Sequence, residues 1–310
     1  MYEIVTLMLP ILLLIGLGLF AVKSRMINPG HIEGIASFVL NFALPAVLLS
    51  ALAKQDISKS FNLGYVLAYG TGSLVAFFGV LAVLRFWLKR PMDRASMGAF
   101  GASMSNSGFI AFPVTSIVFG EIALLAIPLS MLIENVLIMP LTFMLIEWAN
   151  SGKDSALSVL RQTASRLVRM PLLLAIACGL TMALLELSFP APIVKSLDML
   201  AAASAPAALF VVGGVIATLR PTDLQIDIVP VVLGKMLLHP VAVFAAFLVI
   251  PGVPAQLAAV GVVISAVSMV TIYPILSRRV GMEGSAAASL VIATALCLIT
   301  LPFVLAMVAS

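Results

Sequence analysis

Charge is what this sequence lacks most. Only 10% of its 310 residues are Asp, Glu, Lys or Arg, against 62% hydrophobic, where a soluble domain is roughly one quarter charged. So little charge cannot cover a water-facing surface, which excludes an ordinary soluble fold. The 17 Lys+Arg and 13 Asp+Glu leave +4, dispersed along the chain, so the clustered basic face that nucleic-acid binding needs is missing. Cysteine is nearly absent: Cys178 and Cys297 both sit in apolar runs, too few ligands for a disulfide framework or a four-ligand metal site. The apolar runs contain neither a pair of aspartates nor a nucleophile beside a base, which argues against an intramembrane hydrolase and against any enzyme. Rings of charge along a pore are also missing, which places an anion channel, or a uniporter without ion coupling, second to a carrier.

What is present is a series of long apolar runs. A bilayer core of about 30 Å takes roughly 20 apolar residues per helix, and runs of that size fall at 4–22, 33–52, 62–86, 96–119, 122–147, 168–187, 194–219, 229–250, 255–277 and 284–307. The expected fold is therefore an all-α polytopic membrane protein with ten transmembrane helices. The first run has no basic segment before it, and Lys23 and Arg25 follow it, so it reads as a retained helix rather than a cleaved signal. The connections after spans 1, 3, 5, 7 and 9 hold 13 Lys and Arg, against three in the others. By the positive-inside rule this puts both termini outside and the 148–167 connection in the cytoplasm.

The chain also matches itself. At an offset of 161 residues Pro10, Pro29, Pro45 and Pro113 fall on Pro171, Pro190, Pro206 and Pro274, and Gly18 and Gly120 on Gly179 and Gly281. The implied units are a five-helix repeat over 1–147, a connecting loop over 148–167 and a second repeat over 168–310. An odd number of spans per repeat makes the second copy inverted, an arrangement common among secondary transporters, whose substrates bind near the midplane where broken helices meet.

Two spans carry polar residues and a proline at membrane depth. Span 4 contains Ser105, Asn106, Ser107 and Gly108 ahead of Pro113, and the missing donor of Pro113 predicts irregular backbone over 106–112. The N-terminal end of its second half would favour a carboxylate, with Asn106 and Ser107 adding hydrogen bonds. Span 9 repeats the pattern with Ser265, Ser268, Thr271 and Pro274; hydroxyls three apart share a helix face, where they either bind substrate or bond back to their own helix. Asn41 with Pro45 in span 2, and Pro206 with Gly213 and Gly214 in span 7, read as pivots or close-packing sites. Ionisable groups at depth are Glu134, followed by Asn135, and Lys235 and His239 in span 8. Glu134 is either a coupling or gating group or a satisfied structural carboxylate. Lys235 is expected to snorkel to the cytoplasmic interface, with counter-charge for an anion as the other reading; His239, before Pro240, is expected to be structural.

Four segments together resemble the auxin efflux carrier family, which includes bacterial malate and malonate permeases and plant auxin exporters. They are the stretch from Leu40 through Asn41 to Pro45, the stretch from Asn106 and Gly108 to Pro113, Asn135 with Pro140, and the stretch from Lys235 to His239 and Pro240. The resemblance implies ten helices in two inverted repeats, crossing at broken helices 4 and 9 as in sodium–proton antiporters and bile-acid symporters. It also implies a scaffold against which a transport unit moves as an elevator, a homodimer, and a small organic anion such as malonate, malate or an auxin-like acid as substrate. By position, Asn106 and the backbone near Pro113 would bind the carboxylate, with proton or sodium coupling and no cofactor or metal. Relatives carry a proline where this chain has Ser268, which leaves Pro274 as the expected site of unwinding in span 9. The long cytoplasmic loop of plant members is missing, which points to a prokaryotic protein.

Overall fold

The computed structural model describes residues 2–53, 62–150, 169–185, 187–218 and 225–308. Among these, helix is the only extended regular structure, joined by one isolated antiparallel bridge between Ser105 and Met269. The helices are α1 (Tyr2–Lys23), α2 (Pro29–Ala51), α3 (Leu63–Trp87), α4 (Met92–Ser103), α5 (Ser107–Phe119), α6 (Glu121–Ala149), α7 (Pro171–Leu184), α8 (Ala191–Thr218), α9 (Ile228–Val249), α10 (Ala255–Ala266), α11 (Tyr273–Ser277) and α12 (Glu283–Val308). Six of them, α2, α3, α6, α8, α9 and α12, are long and apolar enough to cross a membrane, while apolar segments of 10–17 residues lie in α1, α5, α7 and α10. The expected 148–167 connection lies outside the described residues beyond position 150.

Prolines set the fine structure of these helices. A proline offers no N–H to the carbonyl four residues back, and the turn before Pro45, Pro113, Pro140 and Pro240 slips into π-helix: Val39–Ala43, Ser107–Ala111, Glu134–Ile138 and Gly234–Leu238. In each the bond closing the turn spans five residues, from Leu44 N–H to Val39 O, Phe112 to Ser107, Met139 to Glu134 and His239 to Gly234. The widened turn rotates the side chains that follow, and π-bulges recur at functional sites for this reason. Elsewhere, side chains close the helix starts. The Asn62 carbonyl oxygen accepts from Tyr65 N at 2.7 Å while its amide donates to Gly252 O at 3.0 Å, anchoring α3 to the α9–α10 turn.

The two halves of the chain interleave. α1 packs along α8 and α7 along α2, with α8 also against α2, so one bundle takes two helices from each half. α3 packs on α4 and α9, α4 on α6, and α10 on α6, α9 and α12, forming a second group that contains both helix breaks. In the first bundle α1 and α8 meet backbone to backbone: a methyl on Gly18 would run into the Phe210 carbonyl, and one on Gly213 into that of Ile15. Basic and acidic side chains join several connections at one end. Arg90 Nε meets Asp227 Oδ1 at 2.7 Å, Arg278 Nη2 meets Glu283 Oε1 at 2.6 Å, and the Arg279 guanidinium lies 5.3 Å over the Phe143 ring.

Candidate functional site: crossed helix breaks and a buried ion network

The first break is the extended stretch Met104–Asn106 between α4 and α5, and the second runs from Val267 to Ile272 between α10 and α11. They cross antiparallel at the Ser105–Met269 bridge, where Asn106 N donates to Ser268 O at 2.9 Å. The predicted departure from regular helix over 106–112 is present, with Asn106 non-helical and 107–111 in π-helix, and the break itself begins earlier, at Met104. One expectation changes here. In span 9 the helix ends at Ala266, eight residues before Pro274, which instead occupies the first turn of α11. The break therefore lies around Ser268, where the backbone that leaves α10 pairs across the crossing.

Asn106 works at this junction on both sides. Its Nδ2 donates to Thr271 Oγ1 at 2.8 Å and its Oδ1 accepts from Phe109 N at 3.3 Å, capping α5. With its backbone bond to Ser268, it ties the two breaks together and is itself 2% exposed. Ser268 Oγ in turn accepts from Thr294 Oγ1 of α12 at 3.2 Å.

The start of α5 already holds an anion, and it belongs to the chain. Glu134 Oε1 accepts from Ser105 N at 3.2 Å, Ser107 Oγ at 2.9 Å and Tyr69 Oη at 3.0 Å, and its Oε2 accepts from Ser107 Oγ at 2.7 Å. A carboxylate at a helix N-terminus is where the unpaired N–H groups and the axial dipole favour it. The position where the sequence led us to expect a substrate carboxylate is taken by the chain's own Glu134.

Lys235 overturns the snorkel expectation. Its ammonium is fully buried and uses all three protons, to Ser105 Oγ at 2.7 Å, His239 Nδ1 at 2.9 Å and Ser265 O at 2.8 Å. It lies in the π-turn of α9, which faces the breaks, and the Ser265 carbonyl at the end of α10 is where a cation meets the negative pole of a helix. His239 is buried as expected, but it has partners: with Nδ1 accepting from Lys235, Nε2 carries the proton and donates to Ser73 Oγ at 3.0 Å. From Lys235 the donors run in one direction, to Ser105 Oγ at 2.7 Å, on to Tyr69 Oη at 3.4 Å and to Glu134 at 3.0 Å.

Other candidate residues lie apart from this network. Ser265 Oγ bonds back to Val262 O at 2.7 Å, and Asn135 Nδ2 to Met131 O at 2.8 Å. Gly108 and Pro113 are buried in α5, packing rather than facing open space. Asn41 donates to Ser37 O at 2.9 Å and lines a cavity of about 920 Å³. That cavity also meets Phe109, Thr271, Pro274, Arg278 and Glu283, so it reaches from the crossing to the end where Arg278 and Glu283 pair. Sequence reasoning passed over Tyr69, Ser73 and Thr294, and named Ser105 only as part of the polar stretch of span 4. The spacing of Tyr65, Tyr69 and Ser73 was a signal for the first two: four residues apart, they form a polar stripe on one face of an apolar helix.

A family model described as a membrane transport protein matches residues 3–305. A Rhizobium meliloti (strain 1021) protein named "Putative malonate transporter" is 28% identical over 249 residues, covering 79% of this chain and 77% of that protein. An Escherichia coli (strain K12) protein named "Uncharacterized transporter YfdV" is 24% identical over 242 residues, 76% of this chain and 75% of its own length. The chain is an integral membrane transport protein and belongs to the auxin efflux carrier family.

Proposed function

We propose that this protein is a secondary carrier for a small organic carboxylate, working by alternating access with proton coupling through Glu134 and Lys235. The observation that carries the reading is the one-way donor chain from the Lys235 ammonium through Ser105 and Tyr69 to the Glu134 carboxylate, built around the crossing at the inner end of the cavity. A concerted shift along it neutralises both ends, removing two charges from a site where each is costly unless paired. The groups that face this path are Tyr65 and Tyr69 from α3, His239 from α9 and Cys297 from α12. Because Ser105 and Asn106 are adjacent in the crossing strand, a change of charge on Glu134 acts on the backbone next to the Asn106 side chain that holds Thr271 at the cavity wall. Substrate occupancy and protonation are thereby linked, and a carboxylate is the substrate class because the malonate name of the Rhizobium meliloti relative agrees with a cavity bounded by asparagine, threonine and arginine.

The wider arrangement follows the same reading. The repeats are inverted, the bundle of α1, α2, α7 and α8 is the scaffold of an elevator, and two copies associate through it. Both termini face the periplasm of a bacterial inner membrane, so the cavity opens to the cytoplasm. The test is counterflow in proteoliposomes with labelled malonate, malate, propionate and an indole acid, comparing wild type with Asn106→Ala. Saturable exchange is expected in the wild type. In Asn106→Ala the lost cap and Thr271 bond should cost roughly 1–2 kcal/mol and exchange should fall about tenfold or more. Wild-type exchange of none of these acids, or conduction without exchange, overturns the carrier.

A further inference from the structure

We infer that Arg278 is a second-carboxylate subsite, held in reserve by Glu283, and that it makes the cavity selective for dicarboxylates over monocarboxylates; this rests on the carboxylate-carrier reading above. Among the described residues lining the cavity, Arg278 is the one cation, and Glu33 and Glu283 are both acidic. A cavity with that balance repels an anion unless its cation is available, yet Arg278 Nη2 is engaged by Glu283 Oε1 at 2.6 Å. The pair is exposed, 63% and 50% by side chain, so it is weakly held and exchangeable. Glu283 opens α12, where the helix dipole continues to stabilise its carboxylate once Arg278 lets go. Arg278 is then free to take an incoming carboxylate through its planar fork, a bidentate match that a monocarboxylate bound at the crossing does not use. Thr271, half-buried at the crossing, and Arg278, exposed, both line this cavity, so a diacid that places one carboxylate at the crossing has its other to offer to Arg278. The neighbouring Arg279 points away, over Phe143, and serves as a control of equal charge.

The experiment compares malonate and propionate as probes in counterflow with wild type, Arg278→Gln, Arg278→Lys, Glu283→Gln and Arg279→Gln. Arg278→Gln should raise the malonate KM about tenfold while leaving propionate within about twofold, and Arg278→Lys should fall between, since lysine keeps charge without the fork. Glu283→Gln should lower the malonate KM about threefold or more by removing the resident competitor, and Arg279→Gln should change neither. Equal effects of Arg278→Gln on both acids, an unchanged malonate KM, or a raised KM in Glu283→Gln overturns the subsite. Wild type that exchanges propionate but not malonate overturns this inference alone. Wild type that exchanges neither removes the carboxylate reading beneath it.

Discussion

The two breaks cross as an antiparallel pair and differ in chemistry. At the first, the unwound backbone is met by a carboxylate: Glu134 takes the Ser105 N–H and the Ser107 hydroxyl, with Tyr69 behind it. At the second, α12 meets Ser268 through the Thr294 hydroxyl with the Cys297 thiol beside it, and the charge comes from Lys235, whose ammonium reaches the Ser265 carbonyl. One break is thus anionic and sealed, and the other lends Thr271 to the cavity wall. The two breaks divide the work: Glu134 at the first and Lys235 at the second hold the buried charge, and Thr271 of the second meets the cavity. Ser105 is the joint between them, accepting from Lys235 while its own N–H serves Glu134.

The strongest way to break this comparison is to remove the cation. Lys235→Met leaves Ser265 O, His239 Nδ1 and Ser105 Oγ without their donor and Glu134 buried without a cation nearby, an expected loss of about 3–5 kcal/mol. Thermal unfolding in detergent measures it, and the double variant with Glu134→Gln should recover about 1–2 kcal/mol, because the stranded charge is gone. Simple additivity of the two losses would mean that the breaks are electrostatically independent.

Glu134→Gln alone is milder for stability and decisive for mechanism. A glutamine keeps an oxygen for Ser105 N and Tyr69 and turns its amide to Ser107, whose hydroxyl can accept, so the expected cost is about 1 kcal/mol. Net uptake driven by a pH gradient should be lost, while exchange of labelled for unlabelled substrate continues with a flattened pH dependence. Retained gradient-driven uptake in this variant would return Glu134 to a structural role.

How much of this was legible in the sequence depends on the range of the contact. Pro113 announced the disturbed turn before it, since a missing donor acts locally, while the π-turn at Val83–Trp87 has no proline directly after it and depends on packing. Glu134 and Lys235 stood out as ions at depth, but their shared partner Ser105 lies 29 residues from one and 130 from the other, a relation no periodicity reports. Lys235 was misjudged for that reason: distance along the helix suggested an escape to the interface, and three acceptors from three different segments hold it inside. Asn106 was readable as a special residue, while its employment at the crossing rather than at an open ligand site required the second break to be placed against it. Pro274 misled because a proline is neither sufficient nor necessary for a break: it fits the first turn of α11, and Pro206 and Pro302 lie inside continuous helices, while around Ser268 the span is interrupted where its backbone pairs across the crossing.

Thr294→Val sharpens the comparison from the weak side. The substitution deletes the hydroxyl that donates to Ser268 Oγ at 3.2 Å while preserving volume and branching, and the same hydroxyl also bonds its own helix at Leu290 O, 2.7 Å away. One neutral hydrogen bond of that kind is worth about 1 kcal/mol or less, and no charge is stranded by its loss. Unfolding should shift by that amount, and counterflow should stay within about twofold of wild type, below the effect of Lys235→Met and of Glu134→Gln on coupled uptake. If Thr294→Val instead abolished gradient-driven uptake as Glu134→Gln is expected to, the hydroxyl at the second break would be carrying the proton. The division between a titrating break and a ligand-facing break would then have to be redrawn, with α12 rather than α6 supplying the group that titrates.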